Sequence, residues 1–140
     1  MIILDTNVLS EALRPTPDEQ AVTWLGEQPR STLFTTSLTQ AELLYGIELL
    51  PPSARRSALS TAVQQIFRED FAGQVLSFDS DAADAYAEVA ASRRRAGRPI
   101  SQIDAMIAAI ARSRGASLAT RNVKDFVDCG VDLIDPWNHR

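Results

Sequence analysis

The chain has 140 residues, 45% of them hydrophobic and 23% charged, which suits a single domain over residues 1–140 with one sizeable core and excludes a disordered polypeptide. Its formal net charge of −4 is the wrong sign for a protein that coats nucleic acid by charge alone, though not for an enzyme whose acids are neutralised by a divalent cation. The lone cysteine, Cys129, excludes an internal disulfide and suits a reducing cytoplasm.

Met1–Leu4 is apolar without period-two alternation, the mark of a strand buried on both faces. It lacks the basic start and long apolar stretch of a signal peptide. Asn7–Leu13 predicts a short helix closed by Arg14-Pro15-Thr16-Pro17, and Asp18–Glu27 a second helix with Ala21, Val22, Trp24 and Leu25 near one face. Leu33–Thr36 reads as the second strand. Ser37 with Gln40 three residues later is a capping-box pattern that opens a helix to about Leu50, where Pro51-Pro52 ends it. Ser57–Phe67 is amphipathic. Val75–Phe78 predicts the third strand and Asp81–Arg95 an alanine-rich helix broken by Gly97-Arg98-Pro99. Ser101 opens a helix in which Ile103, Met106, Ile107 and Ile110 recur at helical spacing, with Gly115 at its end. Ala116–Thr120 is the fourth strand and Val131–Ile134 a short last one. Nowhere does an apolar run reach the roughly 20 residues of a membrane helix, so the expectation is a cytoplasmic protein with no membrane partner. Strands alternating with helices predict an α/β fold around a mainly parallel sheet of four to five strands.

The chemistry lies in where a few acids fall on this plan. Asp5 directly follows the first strand, and in open parallel sheets ligands bind beyond the carboxyl ends of the strands. Its plain alternative is a helix cap. Glu42 sits in the first turns of the helix after the second strand, where an acid also favours the helix dipole. Asp104 is the only charge between Ile103 and Ala111, and capping would explain it equally well. Thr120-Arg121-Asn122-Val123-Lys124-Asp125-Phe126 follows the fourth strand, although a simple turn has the same composition. Together these acids fall at one rim of one sheet. Clustered carboxylates repel each other, so such a site calls for protonation or a cation. Oxygen donors suit Mg²⁺ or Mn²⁺, and the His and Cys spacing of a zinc site is absent. His139 reads as a solvated tail residue and Cys129 as a packing residue. Arg93-Arg94-Arg95 with Arg98 reads first as a solvated helix end, leaving Arg121 as the better phosphate contact. Trp24 and Tyr45 read as core or interface residues.

The segments Ile3-Leu4-Asp5-Thr6-Asn7-Val8-Leu9, Ser37 to Ile47, Ile103 to Ala109 and Ala119 to Phe126 occur in an order that resembles the PIN-domain ribonucleases, and among them the VapC-like toxins of bacterial toxin–antitoxin pairs. The resemblance covers essentially the whole chain. It implies a three-layer α/β/α sandwich whose acids coordinate Mg²⁺, or Mn²⁺, and hydrolyse single-stranded RNA to leave 5′-phosphate and 3′-hydroxyl ends. Carried over by motif, Asp5, Glu42 and Asp104 match the metal-holding catalytic acids. Asp125 is assigned as the fourth acid, with Asn122 standing where some PIN domains carry one. Asn7 and Thr120 match the small polar partners of the acids, and Arg121 adjoins them. The resemblance also implies a cognate antitoxin and a homodimer.

Two other readings compete. A degenerate PIN fold that binds a partner without cutting is opposed by the joint presence of Asp5, Glu42 and Asp104, while Asn122 leaves it room. A receiver-like phosphoacceptor domain would use Asp79 after the third strand, yet it needs paired acids after the first, where only Asp5 stands. A haloacid-dehalogenase-type phosphatase needs an acid two residues after Asp5, and position 7 is Asn.

Overall fold

A computed structural model describes residues 1–138; His139 lies outside them. Five strands form one sheet in the order β3-β2-β1-β4-β5, from β1 (Ile2–Leu4), β2 (Leu33–Thr36), β3 (Val75–Leu76), β4 (Ser117–Ala119) and β5 (Leu133–Ile134). All the pairings are parallel, where the sequence pattern had required only a mainly parallel sheet. Helices α1 (Thr6–Ala12), α2 (Glu19–Glu27), α3 (Ser37–Glu48), α4 (Ala54–Gln65), α5 (Ser80–Arg95) and α6 (Gln102–Ser113) make the crossovers.

The two faces of the sheet build two cores, because neighbouring side chains on a strand point in opposite directions. Ile3 and Leu118 join Val89 of α5 and Ile107 and Ile110 of α6 on one side. Leu4 and Ala119 join Val8, Leu9, Trp24, Ile47 and Val63 on the other. Burial on both faces explains why β1 shows no polar alternation. Trp24 is therefore a core residue, whereas Tyr45 is 66% exposed on α3 and lies outside both cores.

Elsewhere the differences from the sequence expectations are local. The cap of α3 is Thr36 rather than Ser37: the strand ends extended at Thr36, whose hydroxyl accepts from the Thr39 N–H. Ile66–Asp70 continues α4 as a π-helical turn, closed by Phe71 N–H donating to Ile66 O. The wider turn lets Phe67 and Phe71 both face the core. Arg93 is not solvated. It is 5% exposed and donates to the carbonyls of Arg98, Asp125 and Val127 at 2.8, 2.8 and 3.1 Å. The glycine turn at Gly97 (φ 74°) folds the chain back so that this helix end faces the loop after β4. Among the described residues no helix is long and apolar enough to cross a membrane.

Candidate active site

The chain leaves β1 toward β2 on one side, while β4 returns to the other side of β1 and leads to β5. That reversal opens a crevice beyond the carboxyl ends of β1 and β4, the place where open parallel sheets bind ligands. The ladder continues past the strand ends, with Asp5 N–H donating to Ala119 O and Thr120 N–H to Ile134 O, both at 2.9 Å. Asp5 and Thr120 are thus fixed side by side at the base of the crevice.

Asp5 stands at the N-cap of α1, but capping alone does not account for it. Thr36, Ser53, Asp18, Asp79 and Ser101 each cap their helix by accepting from the N–H three residues on, as an ordinary cap does. Asp5 accepts instead from the adjacent Thr6 N–H at 2.8 Å. Its other oxygen, Oδ2, turns to the Thr120 hydroxyl at 2.8 Å and to Asn7 Nδ2 at 3.3 Å. The side chain is 5% exposed, and burial pushes its pKa up from 3.8 to about 6. Hydrogen bonds from Thr120 and Thr6 oppose that rise, and the charges of Asp104 and Glu42 add to it.

Glu42 is exposed on α3, and its Oε1 accepts from the Thr6 hydroxyl at 2.6 Å. Thr6 Oγ1 also lies 3.1 Å from Thr39 Oγ1, so one hydroxyl ties the start of α1 to α3. Asp104 stands in the first turn of α6. Burial raises its pKa, the Ser101 hydroxyl lowers it, and Glu42 and Asp125 raise it further. Asn7 bridges the two strand ends, donating through Nδ2 to Thr120 Oγ1 at 3.3 Å and accepting the Arg121 N–H at Oδ1 at 3.2 Å. Thr120 Oγ1 in turn accepts the Asn122 N–H at 3.1 Å.

Asp5, Asn7, Glu42, Asp104, Arg121 and Asn122 line one open cavity of about 340 Å³. The structure leaves Asp125 outside that lining. It is exposed in the 3₁₀ turn Val123–Phe126, near enough to act on Asp104 through its charge. Asp79 caps α5 and pairs with Arg114 at 3.7 Å. It follows the edge strand β3, two strands away from β1, which removes the basis for a phosphoacceptor reading.

Residues 2–129 match the PIN domain family. The chain belongs to that family. Among relatives of this PIN domain, a plasmid stability protein StbB of Pseudomonas syringae pv. tomato is 41% identical over 98% of this chain and 99% of its own length. A VapC ribonuclease of Sinorhizobium fredii, Y4jK, is 37% identical over 98% of each. The toxin FitB of Neisseria gonorrhoeae is 36% identical over 99% of each. Among solved structures, FitAB bound to a DNA fragment superposes with a TM-score of 0.94 at 34% identity, covering 100% of this chain and 98% of that one.

Several residues at the PIN site escape sequence reasoning. Thr6 sits inside the quoted Leu4 to Leu9 segment, but its hydroxyl partner is 36 residues away. Glu11, 5% exposed, lines the same cavity and binds the Asp18 N–H at 3.1 Å and Arg14 at 3.3 Å. Its spacing of four from Asn7, which puts both on one helix face, was the available signal. Trp137 also lines the cavity. Its signal was an aromatic just beyond the carboxyl end of a predicted strand.

The side chains that line the cavity offer oxygen donors to a metal, as a hard cation prefers, with the carboxylates of Asp5, Glu11, Glu42 and Asp104 among them. Asp5 offers about four acceptor positions, of which three are spent on Thr6, Thr120 and Asn7, leaving one on Oδ1. Among the described residues no three acids stand close enough to grip one ion directly. That spacing fits Mg²⁺, which keeps several of its waters and takes only one or two protein carboxylates.

Proposed function

We propose that this protein is a metal-dependent endoribonuclease of single-stranded RNA, the toxin of a toxin–antitoxin pair, with Asp5, Glu42 and Asp104 as the acids that hold Mg²⁺, directly or through its waters. The observation that carries the reading is Asp5 itself. It is a buried carboxyl that caps α1 with one oxygen and turns the other to Thr120 and Asn7, and its pKa rises to about 6 beside Glu42 and Asp104. An unneutralised charge there is costly, and a divalent cation removes the cost. Mn²⁺ meets the same donors. The names of the relatives agree, for they include VapC ribonucleases, a tRNA(fMet)-specific endonuclease VapC of Shigella flexneri and the toxin FitB. Solved neighbours include VapBC of Salmonella typhimurium bound to DNA, at 28% identity and a TM-score of 0.76, and these support a cognate antitoxin as partner.

A bound cation supplies Lewis acidity and an activated water to phosphodiester hydrolysis. The chain's own part is positioning. Thr120 and Asn7 fix Asp5 Oδ2 and Thr6 takes one position on Oδ1, which leaves one acceptor position for a metal or its water. Thr6 holds Glu42 by its hydroxyl, presenting the second carboxylate to orient a water for in-line attack. Asp104 enters from the opposite helix layer and completes the acidic rim. Asp125 adds negative charge beside Asp104, and Arg121 contacts phosphate.

The test is cleavage of a total-RNA pool by wild type, Asp5→Asn and Asp104→Asn with Mg²⁺, Mn²⁺ or EDTA. Discrete fragments that require metal and both aspartates are expected. Folded, antitoxin-free wild type that never cuts would return the protein to the binding-module reading.

A further inference from the structure

The sheet register brings two distant residues to the same rim. β4 and β5 pair with Ala119 opposite Ile134, and the ladder ends at Thr120 N–H donating to Ile134 O. The next residues therefore leave the sheet together beyond its carboxyl edge. On β4's side this is Arg121. On β5's side it is Asp135-Pro136-Trp137, locked by Asp135, whose side chain accepts the Trp137 N–H at 2.9 Å and Asn138 Nδ2 at 3.1 Å. The Arg121 guanidinium carbon lies 5.2 Å from the centre of the Trp137 ring. Both residues line the acidic cavity.

This pairing has two features that a purely structural contact does not need. Among the described residues Arg121 is bound only through its backbone N–H, to Asn7, and by the ring beneath it. Among the described residues the guanidinium makes no ion pair, although acids line the same cavity. Among the described residues the buried indole Nε1 has no hydrogen-bond partner, a liability that phenylalanine would not carry. Indole does, however, offer the strongest aromatic face for a cation. Guanidinium donors in a fixed fork match phosphate oxygens in pairs.

We propose that Trp137 is a positioning residue that holds Arg121 over the rim of the acidic cavity as a clamp for an RNA phosphate next to the bond to be cut. The segment after β5 is on this basis part of the active site, and the inference rests on the nuclease reading above. Trp137 acts through Arg121 and not as a stacking surface for a base.

The test is binding of a fluorescein-labelled oligouridylate, followed by anisotropy over a range of salt with Ca²⁺ replacing Mg²⁺, alongside cleavage with Mg²⁺. Full-length Trp137→Ala, Trp137→Phe, Arg121→Ala and the double variant Arg121→Ala/Trp137→Ala are compared with wild type. Trp137→Ala is expected to weaken binding about 2- to 30-fold, the range of a cation–π contact, and Trp137→Phe to recover only part of that loss. Arg121→Ala should lower the salt slope by about 0.7, one phosphate contact on a single strand. Adding Trp137→Ala to Arg121→Ala should change nothing further. An equal Trp137 effect in both backgrounds would show direct stacking and overturn the clamp, as would unchanged binding and salt slope in all variants. Far-ultraviolet circular dichroism and urea unfolding separate either result from misfolding, and Trp137→Phe keeps the question answerable if Trp137→Ala does not fold. Wild type that binds with the expected variant pattern yet never cuts would sink the nuclease reading and overturn the clamp as an active-site element, leaving Arg121 and Trp137 as an RNA-phosphate contact only. Wild type that cuts with variants of unchanged affinity and KM would do the reverse.

Discussion

Asp5→Asn should make the metal-free protein more stable, and by an amount that depends on pH. Burial raises the Asp5 pKa from 3.8 to about 6, so the folded chain holds a proton that the unfolded chain has already released. Between those values the native state binds more protons, and stability falls as pH rises. Moving a carboxyl between the two values corresponds to about 3 kcal/mol. Asparagine removes the charge but satisfies Thr6, Thr120 and Asn7 less well, at a cost of about 1 kcal/mol. The variant should therefore match or trail wild type below the unfolded pKa. It should gain steadily through the window and lead by about 2 kcal/mol above pH 7. Urea unfolding in EDTA at a series of pH values reads this directly. Mg²⁺ at the upper end of the series should reverse the order, because a ligand of the folded state stabilises wild type alone. A stability difference that is flat with pH, or that grows toward acid, would refute the argument that Asp5 is a buried charge awaiting a cation.

Two further outcomes follow from the hydrogen bonds around the site. Thr6→Val removes the hydroxyl that holds Glu42 Oε1 at 2.6 Å; cleavage should fall about 10- to 100-fold, as for outer partners of metal ligands, and recover in Thr6→Ser. Arg93→Met removes the donors to the Arg98, Asp125 and Val127 carbonyls. Unfolding free energy should fall by about 3 kcal/mol, with faster amide exchange across Val123–Val127 than elsewhere.

Much of this protein was legible in its sequence because the signals are local. Most strands carry a short apolar run and most helices their own stop, so β2 (Leu33–Thr36) and α5 (Ser80–Arg95) lie close to where the pattern puts them. The acids were visible because a carboxylate after a buried strand, as at Asp5, or alone in an apolar helix, as at Asp104, needs a reason. What the residues alone left open was whether Asp5 is only a cap. The answer lies in where its Oδ2 points, to Thr120, which is 115 residues away along the chain. Arg93 read as a solvated cation because its partners are backbone carbonyls, which have no sequence signature. Thr6, Glu11 and Trp137 gained their places only when the β1–β4–β5 register and the packing of α1 on α3 brought separate rims together. The chain itself determined the elements and the acids, since hydrophobic period and uncompensated charge are properties of short segments. The tertiary structure decided which donors meet which oxygens, because a hydrogen bond is fixed by distance and direction, and these arise only when the strands pair.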